Sequence, residues 1–205
     1  MRFNGRATTD AQELAALVTA DGATSGFVKD SEVSTFARTY LDDTDSRAVA
    51  ATIGLWKPLA GSAVAVTHTG NTNETALATI AIPAGAMGPN GQLRVWTNWT
   101  ITNSGNTKTP RIRLGGISGD AFFSAGPTAI ASFHDVRRIC NRNSQSSQMS
   151  SPAGLNGGIG QSGGAIATGT QNTANALDLI ISGQLANSGE SIVLESYLVE
   201  LLYGA

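Results

Sequence analysis

An antiparallel β-sandwich of jelly-roll type, preceded by a short helical N-terminal segment, is the fold class predicted for this 205-residue chain. Three observations predict it. Charged residues make up 14% of the chain, against ~25% in an ordinary soluble protein, and Thr, Ser, Asn, Gly and Ala take their place. The hydrophobic period changes from 3.6 to 2 near Trp56. Beyond that point turn signals recur every 8–15 residues with no helical crossover between them, which excludes a parallel α/β sheet.

Residues 1–55 form the helical segment and 56–205 the β body. The segment holds eight acids and five bases. Thr9 or Asp10 can cap a first helix carrying Leu14, Leu17 and Val18, and Glu13 sits near the positive end of its dipole. A second helix from Asp30-Ser31 shows Val33, Phe36, Ala37 and Tyr40 at i, i+3, i+4, i+7. A third follows Asp42-Asp43 and ends at Gly54. Helices this short need a partner surface. That surface is either the chain's own body or another subunit.

In the body, strands are predicted over Ala63–Thr69 and Thr75–Ile82, the latter with Ala76, Ala78, Ile80 and Ile82 on one face. Pro89-Asn90-Gly91 is a turn before Gln92–Asn103, which places Leu93, Val95, Thr97, Trp99 and Ile101 inward and Arg94, Trp96, Asn98 and Thr100 outward. Lys108–Leu114 follows with Ile112 and Leu114 inward, and Pro110 predicts an edge or a bulge there. Ala129–Phe133 and Val136–Cys140 read as short strands on either side of His134-Asp135. Residues 143–164 read as one polar, Gly-rich loop, a length that is usually functional, mobile or ordered by a partner, and the loop is part of the candidate outward surface. Leu177–Leu185 and Ser191–Tyr203 read as a hairpin across Ala186–Gly189.

Several function classes fall away. No run of ~18 apolar residues exists to span a membrane as a helix. The N-terminus lacks an apolar run of signal-peptide length, and the single Cys140 cannot form an internal disulfide. A net charge of −2 argues against non-specific nucleic-acid binding. Two histidines and one cysteine, none at ligand spacing, predict no zinc site, and no cofactor is expected. Asp42–Asp45 resembles half an EF-hand loop without its Gly and terminal Glu, and helix capping explains it more cheaply. Gly157–Gly164 lacks the Lys-Ser/Thr tail of a phosphate loop. No nucleophile elbow is present, and parity sets Glu195 and Glu200 on opposite faces of the last strand, a poor general acid/base pair. The chain is therefore expected to bind rather than to catalyse.

The charge distribution is uneven. From Arg94 to Arg142 seven bases face two acids, and after Arg142 there are four acids and no base. One reading is internal pairing of the basic middle with the acidic end. The other is an outward strip of Arg111, Arg113, Arg137 and Arg138 for an anionic ligand such as a surface polysaccharide. Trp96 and Trp99 lie on opposite faces of one strand, so one is core and the other is available to stack on a sugar or bury in an interface.

Thr39–Leu55, with Leu41-Asp42-Asp43, Asp45 and Gly54-Leu55, resembles the R-x-L-L-D-D-x-D-A-x-x-A-R-x-x-L-G-L joint of tailed-phage fibre and spike proteins. Ile53 stands where the pattern has Leu, and Arg47 is offset from its second Arg. Ile82-Pro83-Ala84-Gly85, Met87-Gly88 and Asn90-Gly91, then Trp99, Thr102–Ser104, Lys108 and Leu114–Gly116, are similar to a β domain of phage virion proteins. Ser182–Asn187 and Leu194–Leu198 match that pattern as well. The resemblance implies a homotrimeric fibre, spike or decoration subunit on the exterior of tail or capsid, assembled in the host cytoplasm. It implies that the N-terminal segment docks to other virion proteins, and the apolar residues of the expected helices, Leu14, Leu17, Val18, Phe36 and Tyr40, are the candidates for that contact. A host-surface glycan is a further candidate partner. A carbohydrate-binding module and a polysaccharide-degrading tail spike are the alternative classes.

Overall fold

The computed structural model describes residues 2–3, 6–7, 55–154 and 164–204. The chain divides into two compact units, Met1–Thr52 and Ile53–Ala205. In the first, β1 (Arg2–Phe3) and β2 (Arg6–Ala7) pair antiparallel, Arg2 opposite Ala7 and Phe3 opposite Arg6. The three expected helices, and with them Leu14, Leu17, Val18, Phe36 and Tyr40, lie outside the described residues.

The second unit is mainly β. Its strands are β3 (Lys57–Ser62), β4 (Val66–Thr69), β5 (Thr75–Ile82), β6 (Gln92–Ile101), β7 (Lys108–Leu114) and β8 (Asp120–Ser124). They continue with β9 (Ser132–Asn141), β10 (Gln148–Ser150), β11 (Ala167–Gly169), β12 (Leu177–Leu185) and β13 (Ser191–Leu202). The larger sheet runs β11-β10-β9-β6-β13-β3, with β4 also on β13, and the smaller runs β5-β12-β7-β8. Every pairing is antiparallel. Inward side chains of both sheets meet in one cluster, as in a β-sandwich. Leu93, Val95, Trp99, Val199 and Leu201 come from the larger sheet, and Ile80, Ile112, Leu114, Leu179 and Ile181 from the smaller. Each such Leu, Ile or Val contributes about 1.5–3 kcal/mol on full burial.

The strands correct several expectations. β5 has the expected ends, but its pairing with β12 skips Leu77, and this bulge turns Leu77 inward and leaves Ala76 exposed. The strand expected over 63–69 starts at Val66; ahead of it lies β3, whose Pro58 and Gly61 hide it from a propensity reading. Both belong on an edge, where β3 sits. The strand carrying Pro110 is not an edge, because β7 pairs β12 on one side and β8 on the other, but its ladder with β8 is irregular between Ile112 and Arg113. Pro110 falls one residue outside the β8 ladder, which begins at Arg111 opposite Ser124. β9 is one continuous strand through His134-Asp135 rather than two. Leu177–Leu185 and Ser191–Leu202 are not a hairpin, since β12 and β13 belong to different sheets and residues 186–190 turn the corner between them.

Of the expected loop 143–164, residues 155–163 lie outside the described residues, and the part before them contains a strand. β10 pairs β9 and β11, and Gln148 is buried. Gln148 Nε2 donates to Asn141 Oδ1 at 2.9 Å and to the carbonyl oxygen of Gln171 at 3.0 Å. Asn141 Nδ2 in turn donates to Gly88 O at 2.6 Å and Thr173 Oγ1 at 2.8 Å. Loops around Gly88, Gln145 and Thr173 are thus tied at one end of the sandwich.

Candidate binding face

The outer face of the larger sheet exposes large apolar side chains among polar and charged ones. Alternation along β6 sends Arg94, Trp96, Asn98 and Thr100 outward and buries the residues between them. Trp99 is 1% exposed and Trp96 is 42% exposed. Cross-strand pairing with β9 and β13 arranges the outward side chains in rows. One row is His134, Asn98 and Ser196, polar throughout. The next is Val136, Trp96 and Leu198, with Gly61 of β3 beside Leu198. The third is Arg138, Arg94 and Glu200, followed by Pro58. Leu198 is 37% exposed, so an apolar row lies open between a polar and a charged one.

The charged row holds the indole in place. Arg94 Nε and Nη2 each lie 2.7 Å from Glu200 Oε2, and Trp96 Nε1 donates to the same oxygen at 3.3 Å. The Arg94 guanidinium lies over the Trp56 ring at 4.4 Å and near the Trp96 ring at 5.7 Å. In the polar row Asn98 Nδ2 donates to Ser196 Oγ at 2.8 Å. On the Thr100 side of Asn98 opens a depression of about 420 Å³ lined by Asn98, Thr100, Ser132, His134 and Glu195, with Trp99 and Phe133 completing it. Glu195 reaches it because β13 bulges between Leu194 and Ser196. The bulge also overturns the parity argument that set Glu195 and Glu200 on opposite faces.

The sequence-derived arginine strip is not one surface. Arg111 and Arg113 point outward from the smaller sheet and hold Glu74. Arg113 donates to it from Nε at 2.8 Å and from Nη2 at 3.0 Å, Arg111 Nη1 lies 3.1 Å away, and Ser182 Oγ donates at 2.6 Å. Burial pushes the Glu74 carboxyl up, but these hydrogen bonds and the two guanidinium charges outweigh it and hold the group below the usual carboxylate range. Arg137, expected outward, is wholly buried. It donates to Asp135 Oδ2 at 2.8 Å, to Ser151 Oγ at 3.0 Å and to the carbonyl oxygens of Pro152 and Gly154, and its guanidinium lies 4.6 Å over the Phe123 ring. Burial raises the Asp135 carboxyl above its usual range despite this partner. Only Arg138 of the four shares a face with Trp96.

Internal pairing also takes Lys108, whose Nζ is buried 3.1 Å from Glu190 Oε2. Hydrogen bonds from Ser104 and Asn106 to Glu190, together with that cation, hold its carboxyl below the usual range. Burial pushes the Cys140 thiol up, which makes it a poor nucleophile. Among the described residues no three metal-ligating side chains come together. The signal that marked the binding face in the sequence was Trp96 on the outward parity; Glu195 was weighed there only as half of an acid/base pair and reaches the face through the β13 bulge, and nothing marked Trp56 or Leu198.

No protein-family profile matches the chain, and no curated protein matches it. Among solved structures, one of infectious bursal disease virus, Gx strain, is similar at 12% identity and a TM-score of 0.27 over 72% of this chain and 39% of that one. A structure titled "CBM4 structure and function" is similar at 10% identity and a TM-score of 0.24, over 66% of this chain and 89% of that one.

Proposed function

We propose that this chain is a structural subunit on the exterior of a tailed-phage particle, a fibre, spike or decoration protein that forms a homotrimer and contributes to host-surface attachment. Residues 1–55 dock to other virion proteins and join the three copies, and the β-sandwich is the displayed body. The protein is made in the host cytoplasm and works by binding, without a cofactor, a nucleic acid or a membrane. The observation that carries the attachment reading is the outer face of the larger sheet, where Trp96 and Leu198 stay exposed on the same face as a polar depression. Two features support the virion setting. One is the resemblance of residues 39–55 and 82–116 to phage fibre and virion β domains. The other is strand order: β4-β13-β6-β9 over β5-β12-β7-β8 follows the jelly-roll arrangement, which recurs in viral shells and lectins. Fold alone selects no function, so the weight rests on the face.

A carbohydrate-binding module outside any virion would use the same face, and oligomeric state separates the two. Light scattering on the full chain is expected to give a trimer, and a monomer at micromolar concentration overturns that part. A polysaccharide-degrading spike would need two carboxylates flanking one bond. Glu195 lines the depression, whereas Glu200 is engaged by Arg94 and Trp96. Attachment is tested by adsorption of the full chain to a panel of bacterial strains. Saturable adsorption that falls at least ~10-fold in Trp96→Ala is the expected result, since a central Trp at an interface is commonly worth ~2 kcal/mol or more. Adsorption that the substitution leaves unchanged refutes this choice of face.

A further inference from the structure

We propose that Glu200 is a positioning residue of the binding face: helped by Arg94 and Trp56, its carboxylate sets the Trp96 indole for a partner that the carboxylate itself does not touch. This rests on the attachment reading and names the groups on which its central side chain depends.

The first argument is convergence on one atom. Glu200 Oε2 lies 2.7 Å from both Nε and Nη2 of Arg94 and accepts from Trp96 Nε1 at 3.3 Å. Tryptophan has a single side-chain donor, so this bond is the one such restraint its ring can take. Strand pairing dictates the geometry. Glu200 of β13 stands opposite Arg94 of β6 and Leu198 opposite Trp96, so the indole leans diagonally into the charged row. A free indole on a sheet surface has to be ordered when a partner arrives, at a cost to binding. Here the ordering is done in advance.

The second argument is that Arg94 is itself held. Its guanidinium lies 4.4 Å over the Trp56 ring and 5.7 Å from the centre of the Trp96 ring. Trp56 immediately precedes β3, which pairs with the far side of β13 and sets Pro58 opposite Glu200. Two strands and the approach to a third therefore meet at one carboxylate. Loss of Trp56 leaves the guanidinium with one aromatic wall fewer, and the slack passes through Glu200 to Trp96.

The third argument is exposure. The Glu200 side chain is 14% exposed and that of Arg94 29%, while Trp96 as a whole is 42% exposed. The indole is the most open of the three, and the carboxylate that holds it is the least. A pair whose guanidinium is nearly a third open to water adds little to folding stability. Its removal is therefore expected to act on the indole and on binding rather than on the fold.

The test uses the full chain, with isotope-labelled tryptophans observed by nuclear magnetic resonance, and its adsorption to the strain panel. Among the three indoles, Trp99 supplies the unbonded reference, because its Nε1 is buried with no hydrogen-bond partner. Glu200→Ala is expected to move the Trp96 indole signal away from its carboxylate-bonded position. Trp56→Ala should move it the same way by less. Adsorption by Glu200→Ala should fall roughly 2- to 10-fold, the factor for ordering one side chain on binding, with a melting temperature within ~4 °C of wild type. Glu200→Gln, whose amide oxygen still accepts from Nε1, should retain more adsorption than Glu200→Ala. In a Trp96→Ala background Glu200→Ala should cost nothing further, because a positioning residue acts only through the side chain it sets. A Trp96 signal that stays in place, adsorption that Glu200→Ala leaves unchanged, or losses that multiply in the double variant overturns the proposal. Adsorption lost in Trp96→Ala but kept in Glu200→Ala overturns the positioning role and leaves attachment standing. Adsorption to no strain, or adsorption indifferent to Trp96→Ala, removes both.

Discussion

Replacing Arg137 by Met keeps most of the stem and removes the guanidinium. The variant loses the 2.8 Å bond to Asp135, the 3.0 Å bond to Ser151 and the bonds to the carbonyl oxygens of Pro152 and Gly154. Asp135 is left as a buried charge without its partner, a situation that costs about 3–5 kcal/mol. With a urea slope of about 2 kcal/mol/M, the unfolding midpoint should fall by about 1.5–2.5 M at pH 7. The pH dependence supplies a second check. Burial already holds the folded Asp135 carboxyl above its usual range, and removing Arg137 takes away a charge that lowered it. A raised carboxyl is relieved by protonation, so the deficit of Arg137→Met should narrow as pH falls from 7 to 4.5. Adding Asp135→Asn should recover about 1–3 kcal/mol at pH 7, because the unpaired charge is gone. Arg138→Met, one residue on and exposed, should stay within ~0.5 kcal/mol of wild type. A midpoint shift under ~0.5 M for Arg137→Met, or a deficit that does not change with pH, refutes the reasoning.

Glu74 works in the opposite direction. Its folded carboxyl lies below the ordinary value of 4.5, so its contribution is full above that value and is lost as pH falls through the folded one. Glu74→Gln should lower the melting temperature by roughly 2–4 °C at pH 7, about 1 kcal/mol after solvent screening is allowed for, and by nothing once wild-type Glu74 is protonated. Gly91→Ala would set a Cβ 1.7 Å from the Met87 carbonyl oxygen and 2.8 Å from that of Leu202. Its melting temperature should drop by more than ~6 °C, whereas Gly105→Ala, with no neighbour within 4 Å, should stay close to wild type.

Where the chain alternates cleanly, the strands were legible. Thr75–Ile82, Lys108–Leu114 and Leu177–Leu185 have the ends read from the sequence, and the inward set of β6 is the one that parity gives. The misses have local causes. A bulge costs one residue and no composition, so Leu77 and Glu195 changed face without a sequence signal. Asp135 and Arg137 look like surface residues to any hydrophobic pattern, yet they share the inward parity with Ile139 and bury as a pair. That disguise split β9 in two and placed Arg137 on an imagined outward strip. Asn187-Ser188-Gly189 is a sound turn signal, but a turn does not say whether the next strand joins the same sheet. The charge asymmetry was legible as internal pairing: Arg94 meets Glu200 and Lys108 meets Glu190, as a basic middle and an acidic end allow. The binding face was half legible, through Trp96. Its rows and its depression come from long-range pairing among β3, β6, β9 and β13.

Hydroxyl-radical footprinting of the full chain, free and adsorbed to cells, tests the central claim that the outer face of the larger sheet is the working surface. Trp96, His134 and Leu198 are exposed on that face and Ile117 lies exposed between β7 and β8, so all four are open to labelling in the free protein. Adsorption should reduce labelling several-fold at Trp96, His134 and Leu198 and leave Ile117 unchanged. Protection at Ile117 with Trp96 and His134 labelled as in the free chain would contradict the account.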